Sequence, residues 1–290
     1  MPGDIQQKRG VWSCRKRRLS LETPLVMGVL NVTPDSFYDG GRYLDLQIAV
    51  DRAHEMVRQG ADIIDVGGES TRPGSNEVQL EDELKRVCPV IRRVADELDV
   101  AISIDTRHVA VAEAALSAGA DIINNIMPID VTEGVARLAA GSGAGLVVMH
   151  MRGTPSTMNS LTAYEDVVAD VEQRLREGVD FALENGVVAE QIVVDPGIGF
   201  AKVTEHNLKL LGQLEKLCGI APVLVGASRK RFIGDVCDAS DAEDRVGGSV
   251  GAAVMSILHG ASVVRVHDVK ESRQALSIVA AIREFEKQDR

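Results

Sequence analysis

The chain has 290 residues, 45% of them hydrophobic and 26% charged, so it can bury one large core and shows no compositional sign of disorder. A formal net charge of −11 repels polyanions, which argues against an extended nucleic-acid or anionic-membrane surface and confines any phosphate binding to a local site. Cys14, Cys88, Cys218 and Cys237 form no CxxC pair and have no histidine at metal-ligand spacing, so neither a disulfide framework nor a zinc site is signalled.

Residues 1–22 read as a flexible basic tail containing Arg15, Lys16, Arg17 and Arg18, with no apolar stretch behind them to act as a signal peptide. No run reaches the length needed to span a bilayer, and a cytoplasmic protein with reduced thiols is expected. From residue 23 to residue 290 a single domain is predicted. Its short apolar, β-branched runs are Leu25 to Leu30, Asp62 to Val66, Ala101 to Ile104, Asp121 to Ile123, Gly145 to Met149, Ile192 to Val194, Pro222 to Val225 and Ser262 to Val266. Stretches with helical spacing fill the gaps. The first, Asp45 to Gln59, aligns Ala49, Ala53, Met56 and Val57 and stops at Gly60. The fragments QGADII, AGADII and HGASVV repeat that stop before later strands, as successive βα units would. Periodicity alone leaves a doubly wound open sheet possible, but eight strands favour a closed (β/α)8 TIM barrel.

Ligands of parallel sheets gather where strands end at their carboxyl side, and here those positions are polar. They are Asn31, Glu69 to Arg72, Asp105, Asn124 with Asn125, His150, Asp195, Ser228 with Lys230, and Arg265 with His267. Any one of them taken alone is better explained by a strand meeting solvent. Together, Arg72, Lys230, Arg265 and His267 could converge on an anion such as a diphosphate, the alternative being solvated residues paired with surface acids. Asp195, before the turn residues Pro196, Gly197 and Gly199, could grip a planar amidine-like edge or simply cap the turn. Asp105 could equally be the N-cap of the next helix. Asn124 has no such role if the next helix starts beyond Pro128, and a buried amide needs partners. Two loops rich in Gly, Pro, Ser and Asp, at 28–41 and 67–75, suit closure over substrates. Neither a P-loop, a GxGxxG turn nor a GxSxG elbow is present.

The motifs GVLNVTPDSF, DVGGESTRPGS, SIDTR, IINN, MHMRGTP, DPGIGF, SRKRFIG and RVHDV follow one another between residues 25 and 285. In that order and spacing the sequence resembles the dihydropteroate synthase family. The resemblance implies a (β/α)8 barrel that condenses 6-hydroxymethyl-7,8-dihydropterin diphosphate with 4-aminobenzoate, releases diphosphate, needs Mg2+, pairs as a homodimer and is competed by sulfonamides. It implies Asn31 as the protein ligand of Mg2+, and Asp105, Asn124, Asp195 and Lys230 around the pterin. Thr71, Arg72, Arg265 and His267 would bind diphosphate, Pro73 and Phe200 would flank the aminobenzoate ring, and Ser228 and Arg231 would lie close by. Catalysis would fall to Asp105, Lys230, Arg265 and His267, with charge on the leaving oxygens stabilised by the cations and charge on the pterin by Asp105. Ile198 stands where the family usually has Phe, and Ala201 where it has Gly. The segment Met127 to Thr132 also departs from the pattern. Other readings are a pterin-binding methyltransferase domain and a catalytically silent paralogue.

Overall fold

The computed structural model describes residues 10–32, 42–69, 78–128 and 133–288. Eight parallel strands form the wall: β3 (Leu25–Asn31), β4 (Ile63–Gly67), β5 (Ala101–Thr106), β6 (Ile122–Asn125), β7 (Gly145–Met149), β8 (Ile192–Asp195), β9 (Leu224–Val225) and β10 (Val263–Val266). Strand β10 pairs with β3, and a parallel bridge between Val194 and Val223 joins β8 to the start of β9, so the sheet closes into the expected barrel. Helices cover the outside. Those that bear on the site are α1 (Arg42–Arg58), α2 (Leu80–Glu97), α3 (Val109–Ala118), α7 (Arg231–Cys237), α8 (Val246–Leu258) and α9 (Val269–Gln288).

Period-two alternation splits each strand between two cores. Outward residues such as Val26, Ile64, Ile102, Ile123, Val194 and Val264 pack against the helices in one large cluster. Their neighbours Met27, Ile63, Ala101, Ile122, Val147, Val193, Leu224 and Val263 face inward and fill the amino-terminal half of the barrel. One pleat further along, the same inward face turns polar at Asp65, Asp105, Asn124, Asp195 and Arg265. Register keeps these in line, with Gly67 opposite Asp105 and Asp105 opposite Asn124.

The expected loose tail is corrected for residues 10–22, while residues 1–9 lie outside the described residues. Strands β1 (Val11–Cys14) and β2 (Arg17–Ser20) form an antiparallel hairpin that plugs the amino-terminal end of the barrel. Trp12 is 1% exposed, and its indole N–H donates to Gln191 O at 2.8 Å. Two of the four basic residues expected in a solvated tail, Arg15 and Arg17, are anchored. Arg15 donates to Leu116 O at 2.7 Å, in the negative last turn of α3, and to Ala120 O at 2.8 Å just beyond it, and Arg17 pairs with Asp121 at 3.2 Å and Asp99 at 2.7 Å. Gly145 at the foot of β7 makes room, since a Cβ there would lie 2.7 Å from Cys14 Sγ.

Candidate active site

At the carboxyl end of the barrel the inward polar residues meet. Arg265 forks between two acids, Nε to Asp65 Oδ2 and Nη2 to Asp105 Oδ2, both at 2.6 Å, and Asn124 Nδ2 donates to the same Asp65 oxygen at 3.2 Å. Asp65 and Asp105 each keep one buried carboxylate oxygen, Oδ1, with no hydrogen-bond partner. Such acceptors inside an apolar barrel call for a donor-bearing ligand. Burial pushes the Asp105 carboxyl well above the ordinary carboxylate range, with Arg265 pulling against it. Burial also works against the Arg265 charge, but Asp65 and Asp105 outweigh it and hold the guanidinium charged. Asp105 does not cap α3. That turn belongs to Thr106, whose Oγ1 accepts from His108 N–H at 3.1 Å.

Asp195, at the end of β8, answers both of its readings. Its Oδ1 caps the turn by accepting from Gly197 N–H at 2.7 Å, and burial raises its pKa while Lys230 opposes the rise. Lys230 precedes α7 and donates to Ile198 O, with its ammonium 4.5 Å from the centre of the Phe200 ring. Gly199, at φ +83°, permits this: a Cβ there would sit 2.9 Å from Lys230 Cδ. Burial lowers the Lys230 pKa to about 8, Asp195 pulling it back up. His267 and Ser228 meet, the backbone N–H donating to Ser228 Oγ at 3.2 Å and Nδ1 lying 3.1 Å from the same oxygen. Asn31, exposed at the end of β3, borders the space over Gly67: a Cβ built there would lie 3.7 Å from Asn31 Oδ1 and 3.8 Å from Asp105 Oδ2.

Other expected residues are placed apart. The Arg231 side chain is 92% exposed and lies 3.8 Å from Asp235, outside the buried group. Thr71, Arg72 and Pro73, and most of the 28–41 loop, lie outside the described residues. Asn125 points away from the mouth and brackets a turn through Met127. Ile198 is fully buried among the outer core residues and gives the site only its carbonyl, and Ala201 sits at φ +49° beside Met149, Met151 and Met158.

Two contributors escaped the sequence reading. Asp65 was passed over inside an apolar run, although its alternation with Ile63 and Gly67 places it on the inward face. Lys202 fastens the 196–201 turn from behind, donating to Gly197 O and Phe200 O at 3.0 Å and meeting His150 Nδ1 at 2.9 Å. Burial drives the His150 pKa down to about 2, so the imidazole is neutral and serves the turn instead of an anion.

Residues 27–267 match the family model described as pterin binding enzyme. A dihydropteroate synthase of Synechocystis sp. is 46% identical over 258 residues, 89% of each chain. The structure of Xanthomonas albilineans dihydropteroate synthase with 4-aminobenzoic acid superposes with a TM-score of 0.89 at 40% identity, covering 95% of this chain and 98% of the other. The same organism's enzyme in complex with 7,8-dihydropteroate gives 0.86 at 38% identity, covering 94% and 98%. With its barrel mouth lined by the residues those motifs carry, the chain belongs to the pterin-binding enzyme family, among the dihydropteroate synthases.

Proposed function

We propose that the chain joins a dihydropterin, presented as its diphosphate ester, to 4-aminobenzoate, and that the buried Asp65–Arg265–Asp105 fork with Asn124 is the floor on which the pterin lies. The unpartnered Oδ1 atoms of Asp65 and Asp105 carry this reading, because a flat heterocycle rich in N–H groups matches acceptors set in an apolar wall. Asp195 receives the ring's amino edge, and Lys230, whose charge Asp195 favours, stands 4.5 Å from the centre of the Phe200 ring. In the reaction the methylene C–O bond breaks with its electron pair leaving on diphosphate. The arylamine nitrogen then forms the new C–N bond and releases a proton. Asp105 stabilises positive charge developing on the pterin, Arg265 and Lys230 supply cationic surroundings for the leaving oxygens, and His267 offers them a ring N–H. Thr71, Arg72 and Pro73 join this reading from the resemblance alone, as diphosphate and ring contacts brought by a closing loop.

The Asn31 carboxamide oxygen fits Mg2+, a hard cation that takes few protein ligands and keeps its waters, and the exposed rim position suits a metal that arrives with diphosphate. When bound, Mg2+ would neutralise charge on the leaving group. No observation favours the methyltransferase or silent reading. The reading extends to paired barrels, supported by exposed apolar side chains on α8 and α9, among them Met255, Leu258, Ile278, Ile282 and Phe285. It extends also to the cytoplasm, supported by four cysteines that form no disulfide; among the described residues no helix is long and apolar enough to cross a membrane. Purified protein with Mg2+ and both substrates will form dihydropteroate and release diphosphate, and a sulfonamide will compete with 4-aminobenzoate. Absence of product from folded protein would overturn the proposal.

A further inference from the structure

Strand β5 has a second chemical face. Alternation sends Asp105 into the barrel mouth and Thr106 outward, towards α2 and α3. There Glu69, Glu83 and His108 each bring one ligand atom to within 4.8 Å of the others. Thr106 Oγ1 donates to Glu83 Oε1 at 2.7 Å and accepts from His108 N–H, so it holds two of the three in place. Gly68 lets the glutamate in, since a Cβ at that position would lie 3.0 Å from Glu83 Cγ.

Glu83 is 0% exposed, an unusual state for a glutamate. Its Oε2 has no hydrogen-bond partner, and neither has His108 Nε2, 3.9 Å away. That gap is too long for a hydrogen bond. It does fall within the span of about 4.1 Å that two metal–ligand bonds of roughly 2.0–2.1 Å can bridge. The third carboxylate is already organised. Glu69 accepts from Arg107 at 3.0 and 3.1 Å and from Val78 N–H at 3.2 Å, so it ties together the two ends of segment 70–77. Oε1 accepts two of those bonds and Oε2 one, so Oε2 retains a lone pair.

We propose that Glu69, Glu83 and His108 bind one transition-metal dication of the zinc class, and that this ion ties Glu69, just after β4, to α2 and to the start of α3. A mixed imidazole and carboxylate set selects Zn2+ over Mg2+, which prefers oxygen alone. The site lies across the β5 backbone from the barrel mouth and does not depend on the reaction proposed above.

The test strips the full-length protein with a chelator and titrates Zn2+ against a chromogenic competitor, with Mg2+ saturating throughout. Wild type should take up one equivalent. Replacement of the partly exposed His108 (His108→Ala) should weaken uptake at least by the roughly 10- to 100-fold that even outer-sphere changes cost. With Co2+ as probe, the visible spectrum of a nitrogen and oxygen ligand set should appear in wild type and be lost in the variant. Should His108→Ala fail to fold, Glu69→Gln takes its place with the same expectation. No saturable Zn2+ uptake by folded wild type, or equal uptake by wild type and the folded variant, would overturn the site.

Discussion

The two ends of the barrel interior are built from the same strands and the same pleat, yet they are opposite materials. Below, Trp12 and Cys14 of the hairpin close on Met27, Ile63 and Val263, so the filling is apolar and packed. One pleat above, Ile63 gives way to Asp65, Ala101 is followed on its face by Ser103 and Asp105, and Val263 by Arg265. The lower half gains from water exclusion. The upper half spends part of that gain on charges removed from water, which is sensible only where a ligand is to be held.

Breaking the upper half should have the largest effect. Arg265→Met leaves Asp65 and Asp105 buried together without their cation, which should cost about 3–5 kcal/mol in denaturant unfolding and abolish diphosphate release. Retention of activity would remove the fork from the mechanism. Trp12→Ala should cost a comparable 3–5 kcal/mol or somewhat less, by cavity formation and a lost indole hydrogen bond. In contrast, kcat/KM of the folded fraction should stay near wild type. A large kinetic defect would mean that the two halves are coupled.

A third prediction concerns charge. Lys230, with a pKa of about 8, loses its proton as pH rises through that value, so turnover should fall on the alkaline side. Stability should move the other way. The unfolded chain holds this proton more tightly than the native one, so this group's contribution to folding stability grows from about pH 8 up to the ordinary lysine value near 10.4. An alkaline limb unchanged in Lys230→Met would assign the profile to another group. The smallest effect is expected at Ala201, where φ is +49°. Ala201→Gly relieves a left-handed backbone and should stabilise by about 0.5–1 kcal/mol after the entropy of glycine is counted. Destabilisation would show that the methyl contact with the methionine cluster matters more.

The sequence was readable where chemistry repeats locally. Short apolar, β-branched runs located every barrel strand, and the interruption of each run located Asp105, Asn124, Asp195 and Arg265. Pairing was not readable. Arg265 and Asp65 are 200 residues apart, and nothing in either neighbourhood names the other. Asp65 stayed hidden because apolar residues flank it, and the hairpin because arginines at its turn look solvated until the carbonyls they meet are known. Arg231 was legible only as part of its motif, and its side chain faces solvent beside Asp235. For Thr71, Arg72 and Pro73 the motif remains the sole ground.

Strand β9 has two residues, and among the described residues a single bridge, Val194 with Val223, joins it to β8. The cylinder therefore has a seam. Asp195 finishes one side of it, and Ser228 with Lys230 follow the other. Less main-chain bonding holds the wall at that joint than between β3 and β4, which pair at five positions, so widening it would forfeit little while separating the carboxylate from the ammonium.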